Sequence, residues 1–232
     1  MAKYFGYAVI VFFLSLLSII GFIYFQYAQA MPTGKQGVEA DRLAKKMLIA
    51  LNYEAYKEID YLEWTFKAKR HFKWYKSQGF CVVEWENVSV KLNLNNTSSS
   101  TVKVNGKPYS GPEKHRFMRY AKAKFNNDTF WLVAPYKVFD KGVERRLVQL
   151  DDDQQGLLVT YTIGGTTPGD SYLWRLDKNY VPLAFQMWVD LIPMGGLTAT
   201  WEAWTQSSNG AYFPGRHRIL LLDLGITGLK VR

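Results

Sequence analysis

The sequence predicts an α+β fold made mainly of antiparallel strands, with two or three helices and an N-terminal hydrophobic segment. Beyond residue 60, apolar and polar residues alternate with a period of two in short segments that are separated by Gly, Asn and Asp turns. The strand segments of the second half follow one another without long helical patterns between them, which favours antiparallel pairing over crossover units. Aromatic residues make up 16% of the chain, and such residues suit a pleated, half-buried surface.

Residues 1–30 are predicted to be a signal peptide or a signal anchor. Residues 9–25 are almost continuously apolar, which is longer than a typical secretory core and close to the minimum for a membrane span. Ala28-Gln29-Ala30 has the small-x-small form of a signal peptidase site and favours cleavage, whereas the aromatic residues just before it favour a retained anchor. Both alternatives place the remaining chain on the periplasmic side of a bacterial cell envelope, and a buried core helix is the remaining interpretation.

The composition restricts the partners. The formal net charge is +9, which outside the cytoplasm favours an anionic membrane surface over nucleic acid. Cys81 is the single cysteine, so an intramolecular disulfide and a thiolate metal cluster are excluded. Its apolar neighbours predict a small core residue on a strand.

The rest of the chain is predicted to be a linker, residues 31–37, followed by a single domain, residues 38–232. Apolar residues at helical spacing predict a first helix from about Gly37 to Tyr56. A second, basic amphipathic helix is predicted at 112–127, ending at Asn126-Asn127-Asp128, and the apolar run that follows is helical or extended.

Strands are predicted on both sides of this second helix. The first group covers the alternating segments around Trp64 and Phe72 and then 80–85, 88–94 and 101–104. The second group covers 143–150, 157–163, 171–177, 181–190, 197–206 and 216–223. Several strands are apolar on both faces, which predicts a curved sheet that covers helices on one side and an apolar cavity or a second packed layer on the other.

Catalytic and metal-binding motifs are not found. His71, His115 and His217 are far apart in sequence, and neither a zinc signature nor a nucleophile elbow is present. The glycine-rich segment 164–170 lacks the lysine and the helix of a phosphate loop, and Asp151–Asp153 reads as a solvated turn. We therefore expect no enzymatic activity, no cofactor and no metal; a hydrolase with a dispersed site would need a Ser–His contact or converging carboxylates.

The order of elements resembles the LolA/LolB-like superfamily of periplasmic lipoprotein carriers. The resemblance lies in an amphipathic helix that leads into the strand Trp64-Thr65-Phe66, then in the turn 167–170 and the strand 200–204. It covers about residues 38–230 and implies an open half barrel whose concave side is closed by helices over an apolar cavity. The chain has no lipid-attachment cysteine after its N-terminal segment, so the resemblance implies a fixed lipid-handling domain better than a shuttling carrier.

The function predicted from these features is a non-enzymatic envelope domain that binds a lipid, an acyl chain or an acylated protein. The alternative is a membrane-anchored scaffold without a ligand cavity. The predicted cavity lining is Trp64, Phe66, Phe72, Trp74, Leu183, Phe185, Met187 and Trp201 from the strands, with Leu48 and Phe117 from the helices. Arg116, Arg119 and Lys122 are predicted to meet an anionic membrane surface.

Overall fold

A computed structural model describes residues 2–151 and 154–232. It shows one large, open antiparallel sheet of 13 strands with helices packed against it. The two outermost strands, Lys107–Pro108 and Val143–Gln149, do not pair with each other, so the sheet is an open half barrel, as predicted. Asp152 and Asp153, from the predicted aspartate turn, lie outside the described residues.

The described residues contain four α-helices and fifteen strands. The helices are α1 (Ala2–Tyr27), α2 (Val38–Ala50), α3 (Tyr53–Lys57) and α4 (Lys114–Val133). The strands are β1 (Tyr61–Phe66), β2 (Arg70–Tyr75), β3 (Phe80–Trp85), β4 (Val88–Asn93), β5 (Thr101–Val104), β6 (Lys107–Pro108), β7 (Val143–Gln149), β8 (Gln155–Tyr161), β9 (Ser171–Leu176), β10 (Pro182–Trp188), β11 (Leu197–Thr200), β12 (Thr205–Gln206), β13 (Tyr212–Phe213), β14 (Arg216–Ile219) and β15 (Leu222–Val231). Short 3-10 turns occupy Thr97–Ser99 and Ala134–Lys137. The strands of the large sheet lie in the order β6-β5-β4-β3-β2-β1-β15-β14-β11-β10-β9-β8-β7.

The last strand joins the two halves of the sheet. β15 pairs with β1 on one side and with β14 on the other. The single predicted strand 216–223 is therefore wrong: it comprises β14, a turn at Leu220-Leu221 and the first two residues of β15. The turn is apolar and has no Gly-containing dipeptide, so composition did not mark it.

Two further boundaries differ from the prediction. The first helix is interrupted because Asn52 has a left-handed backbone (φ 55°) and separates α2 from α3. The predicted strand 197–206 stops at Thr200, because Ala203 also has positive φ, and β12 forms a separate two-stranded ribbon with β13.

The basic helix is longer than predicted. Asn126-Asn127-Asp128 does not end it, and the following apolar run to Val133 is helical. The reason is that Asp128 faces inward and accepts a hydrogen bond from Arg70 Nε at 2.5 Å, which satisfies a polar residue in the helix interior.

The core lies between the sheet and α2, α3 and α4. It is one continuous cluster of buried side chains that receives residues from both halves of the sheet. Stacked, tilted and edge-to-face aromatic pairs run through it, among them Trp64–Phe72 at 4.8 Å, Trp174–Trp201 at 5.1 Å and Trp74–Phe125 at 5.4 Å between ring centroids.

The N-terminal helix stands apart from this core. Its segment Val9–Gln26 is long and apolar enough to cross a membrane, by length and composition, and none of it is buried inside the protein. That exposure contradicts the interpretation of α1 as a buried core helix. Apolar side chains exposed over this length are typical of a signal segment or an anchor.

The linker lies against the edge of the sheet. The amide of Lys35 donates to Leu147 O at 2.8 Å and the amide of Leu147 donates to Lys35 O at 2.7 Å, so the linker pairs with the edge strand β7. Gly34 has φ +60° there, and a Cβ at this position would lie 2.9 Å from Val148 Cγ2. Glycine thus lets the linker approach and cover an otherwise open strand edge.

Candidate ligand-binding site

All of the predicted cavity residues except Leu183 pack in or against the core. Phe117 is half-buried against it. The other eight lie within the core cluster between the sheet and the helices: Leu48, Trp64, Phe66, Phe72, Trp74, Phe185, Met187 and Trp201. In this conformation these side chains are members of one packed core. Contact with a ligand remains a prediction.

Leu183 is the exception. It was predicted to share a face with Phe185 and Met187, but it is 52% exposed, whereas Phe185 is fully buried. The pairing of β10 with β9 shifts register between Pro182 and Ala184. A bulge of this kind moves the residue beside it off the face that strict alternation assigns, and so Leu183 leaves the core.

An apolar opening lies where α2 meets α3. It has a volume of about 450 Å³. Leu48, Ile49, Tyr53 and Phe139 supply its apolar surface, and Lys45, Asn52 and Glu54 complete the lining. Leu48 is buried whereas Ile49 is 78% exposed, so the opening is a surface depression whose base is the edge of the core. We call it the α2–α3 opening.

A second opening of about 470 Å³ lies at the start of α4. It is lined by Trp85, Glu86, Asn87, Val88, Val104, Glu113, Arg116, Phe117 and Tyr120. Its charged members include Arg116, which is paired with Glu113 of the same helix. A lining with this many polar groups suits an apolar chain less well than the α2–α3 opening does.

The three predicted membrane-surface residues are not equivalent. Arg119 is exposed, Arg116 is exposed but paired with Glu113, and Lys122 is half-buried. A cation whose charge is already balanced by a carboxylate contributes less to the binding of an anionic membrane surface. Membrane contact by these residues remains a prediction.

The convex face of the sheet carries a hydroxyl, an imidazole and a carboxylate in a row. Thr65 Oγ1 lies 2.9 Å from His71 Nδ1, and His71 Nε2 lies 3.3 Å from Glu63 Oε1. Sequence reasoning missed this contact, although the pairing of β1 with β2 places Thr65 opposite His71.

This row lacks the surroundings of a hydrolase site. The backbone around Thr65 is paired on both sides, with β2 and with β15, so its amides are not free to stabilise an oxyanion. Glu63 is bonded to Lys230 (2.8 Å) and to Tyr61 (2.5 Å), and these contacts lower the pKa of Glu63 to about 2. The row is explained as a cross-strand polar ladder.

Metal binding finds no support in the described residues 2–151 and 154–232, where no group of three His, Cys, Asp or Glu side chains could hold an ion. Cys81 is buried, and burial raises the pKa of its thiol, so the thiol is held neutral.

The solved structures that resemble this chain do so only weakly, as one of them illustrates. No protein-family model matches the chain, and no curated protein matches it. A crystal structure from Vibrio parahaemolyticus, assigned as an outer membrane lipoprotein-sorting protein domain, aligns with 82% of this chain and 93% of its own, at 13% identity and a TM-score of 0.34. The function is therefore argued from the residues of this chain alone.

Proposed function

We propose that the protein is a membrane-anchored envelope domain that binds a single acyl chain, as a fatty acid or as part of a lipid, in the α2–α3 opening. The observation that carries this proposal is the composition of that opening, which combines an apolar wall with two charged residues at its edge. Glu54 is paired with Lys57, whereas Lys45 is the cation left to meet a ligand. Its volume, about 450 Å³, lies within the range of small-molecule sites.

The lining matches an amphiphile with an anionic head. Leu48, Tyr53 and Phe139 would contact the chain, while Lys45 is exposed at the edge, where its ammonium could pair with a carboxylate or phosphate. Burial of apolar area stabilises the complex by roughly 25 cal/mol per Å², and this contribution is insensitive to salt.

The test uses the full chain in phospholipid vesicles and a fatty acid that carries a photoactivatable diazirine. After illumination and trypsin digestion, the peptide Met47–Lys57 contains most of the lining and should be labelled. α1 should be labelled as well, because the probe also dissolves in the bilayer. The ratio of the two signals measures occupancy of the opening against membrane background.

The Ile49→Glu variant should remove most of the label from this peptide and leave α1 unchanged, because a carboxylate at the mouth repels both the chain and its head. Ile49 is 78% exposed, so the variant should still fold. The matched control is Val38→Glu, since Val38 is 72% exposed on the same helix and is not part of the lining. Labelling confined to α1 in the native chain would refute the proposal and favour the scaffold alternative.

A further inference from the structure

The end of the sheet near which α1 leaves the domain carries exposed leucines. Outside α1, five leucines of the described residues are largely exposed: Leu183, Leu191, Leu220, Leu221 and Leu222. Four of these lie in the β10–β11 loop and at the β14–β15 turn. Leu183 lies on β10 at the opposite end of the sheet.

The strand register brings these two loops together. Met187 pairs with Leu197, so the β10–β11 loop closes at this end of the sheet, and Ala199 pairs with Ile219, so the β14–β15 turn points the same way. Neighbouring strands are about 4.8 Å apart, which places the turn roughly 10 Å from the β10–β11 loop. We call this end, formed by residues 189–196 and 219–222, the anchor-side rim.

α1 is fixed to this rim. The amide of Gln29 donates to Gly195 O at 2.9 Å, and Trp188 Nε1 donates to Gln29 O at 2.8 Å. The side chain of Gln186 donates to Gln29 Oε1 at 2.7 Å. Gln29 follows the last residue of α1 by two positions, which is at most about 7 Å of chain. A bilayer that contains α1 must therefore lie close to the rim.

The chemistry of the turn is unusual for a surface facing water. Ile219 pairs with Leu222, which leaves a two-residue turn, and Leu220 has φ +51° where such turns normally take glycine. Leu220 is 74% exposed and Leu221 is fully exposed. Three successive leucines at the tip of a hairpin bury their apolar surface only if they meet an apolar phase.

We propose that the anchor-side rim is a membrane-contacting surface, in which the leucines of the β14–β15 turn insert into the lipid interface beside α1. This inference requires that α1 stays attached and in the bilayer, and it does not require acyl-chain binding at the α2–α3 opening. Lys67, in the β1–β2 turn, is exposed and its amide donates to Gly225 O of β15, so this cation lies at the same end of the sheet as the rim. The two contacts, helix and turn, would fix the orientation of the domain on the membrane.

The test places an environment-sensitive fluorophore at the tip of the turn. Leu221→Cys is labelled with a nitrobenzoxadiazole reagent in the full chain, and Cys81 remains unlabelled because it is buried. In phosphatidylethanolamine–phosphatidylglycerol vesicles, we expect a blue-shifted emission and a loss of intensity when lipids carry a nitroxide near the headgroup. The matched control is Leu183→Cys, an exposed leucine at the other end of the sheet, which should show neither effect.

The outcomes are distinguishable. If the Leu221 label behaves like the Leu183 label, the rim does not touch the bilayer. If a label at Arg119→Cys is quenched instead, the contact belongs to α4 and the proposal is overturned. The label at residue 221 is also measured in a variant that carries both Leu220→Ser and Leu222→Ser. If its quenching is unchanged, the turn lies near the bilayer without inserting into it, and the proposed role of the leucines is overturned. Photolabelling of α1 reports separately whether the anchor is in the membrane.

Discussion

The imidazole of His217 is fully buried between two indoles. The ring centroids of Trp201 and Trp131 lie 4.5 and 5.1 Å from that of His217. Nδ1 of His217 donates to Thr200 O at 2.9 Å, and Nε2 has no hydrogen-bond partner within the described part of the chain. Burial disfavours the charged ring and lowers the pKa of His217 to about 4.

This burial predicts a loss of stability in acid. The unfolded chain takes up a proton near pH 6.5, whereas the folded protein does so only near pH 4, so the contribution of His217 is complete above pH 6.5 and is lost between these values. We expect this loss to be on the order of 3 kcal/mol. Urea denaturation of the full chain in mild detergent at several pH values would measure it. His217→Phe should be less stable at neutral pH, because it loses the bond to Thr200, but its stability should change less with pH. An equally steep pH dependence in the variant would contradict this origin.

At the scale of single elements, α4 depends on one buried ion pair. The Asp128 side chain is fully buried and that of Arg70 is 13% exposed, and their contact joins the helix to the start of β2. A buried charge is expensive without its partner, and the loss of one member costs roughly 3–5 kcal/mol.

We therefore expect Asp128→Ala to lower the free energy of unfolding by several kcal/mol and to loosen the second half of α4. The control is Asp223→Ala, which breaks a pair with Arg216 in which both side chains are about half exposed. That change should cost under about 1 kcal/mol. Urea denaturation gives both values, and amide hydrogen exchange along α4 locates the effect. Equal costs would show that burial of the pair is unimportant.

The helices and strands that sequence predicts well are those with a regular apolar period. β1 to β5 and β7 to β10 lie close to their predicted bounds, because alternation there reflects one buried face. The errors occur where tertiary contacts override local composition. Asp128 looks like a helix terminator until Arg70 is placed beside it, and Leu183 looks like a core residue until the bulge in β10 is known.

The candidate sites were harder to predict than the fold. Leu48 was selected from helical periodicity, and it does line the α2–α3 opening, but Phe139 and Ile49 were not selected because neither lies in a pattern that reports burial. The anchor-side rim could not be predicted at all, since it depends on the register between β11 and β14 and on hydrogen bonds of Gln29 that span more than 150 residues of sequence. A period-two pattern at Leu222, Leu224 and Ile226 was available as a signal for β15.

At the scale of the whole molecule, the two halves of the sheet should unfold together. They share one core, and β15 binds them edge to edge through β1 and β14. We expect one cooperative transition that is reported identically by probes in the first half and in the second half. Hydrogen exchange of the β3 and β9 amides during urea denaturation provides such probes, and two separate transitions would contradict a single cooperative unit.

The pairing of β1 with β15 also sets an order of events during synthesis. Leu62 pairs with Val231, so the first strand of the domain waits for the last residues of the chain before one of its edges is covered. A contact this distant in sequence forms slowly. In the exported protein that we propose, β1 cannot form it until residue 231 has crossed the membrane. During that interval β1 would present an unpaired edge, and we expect the emerging chain to bind a holding chaperone.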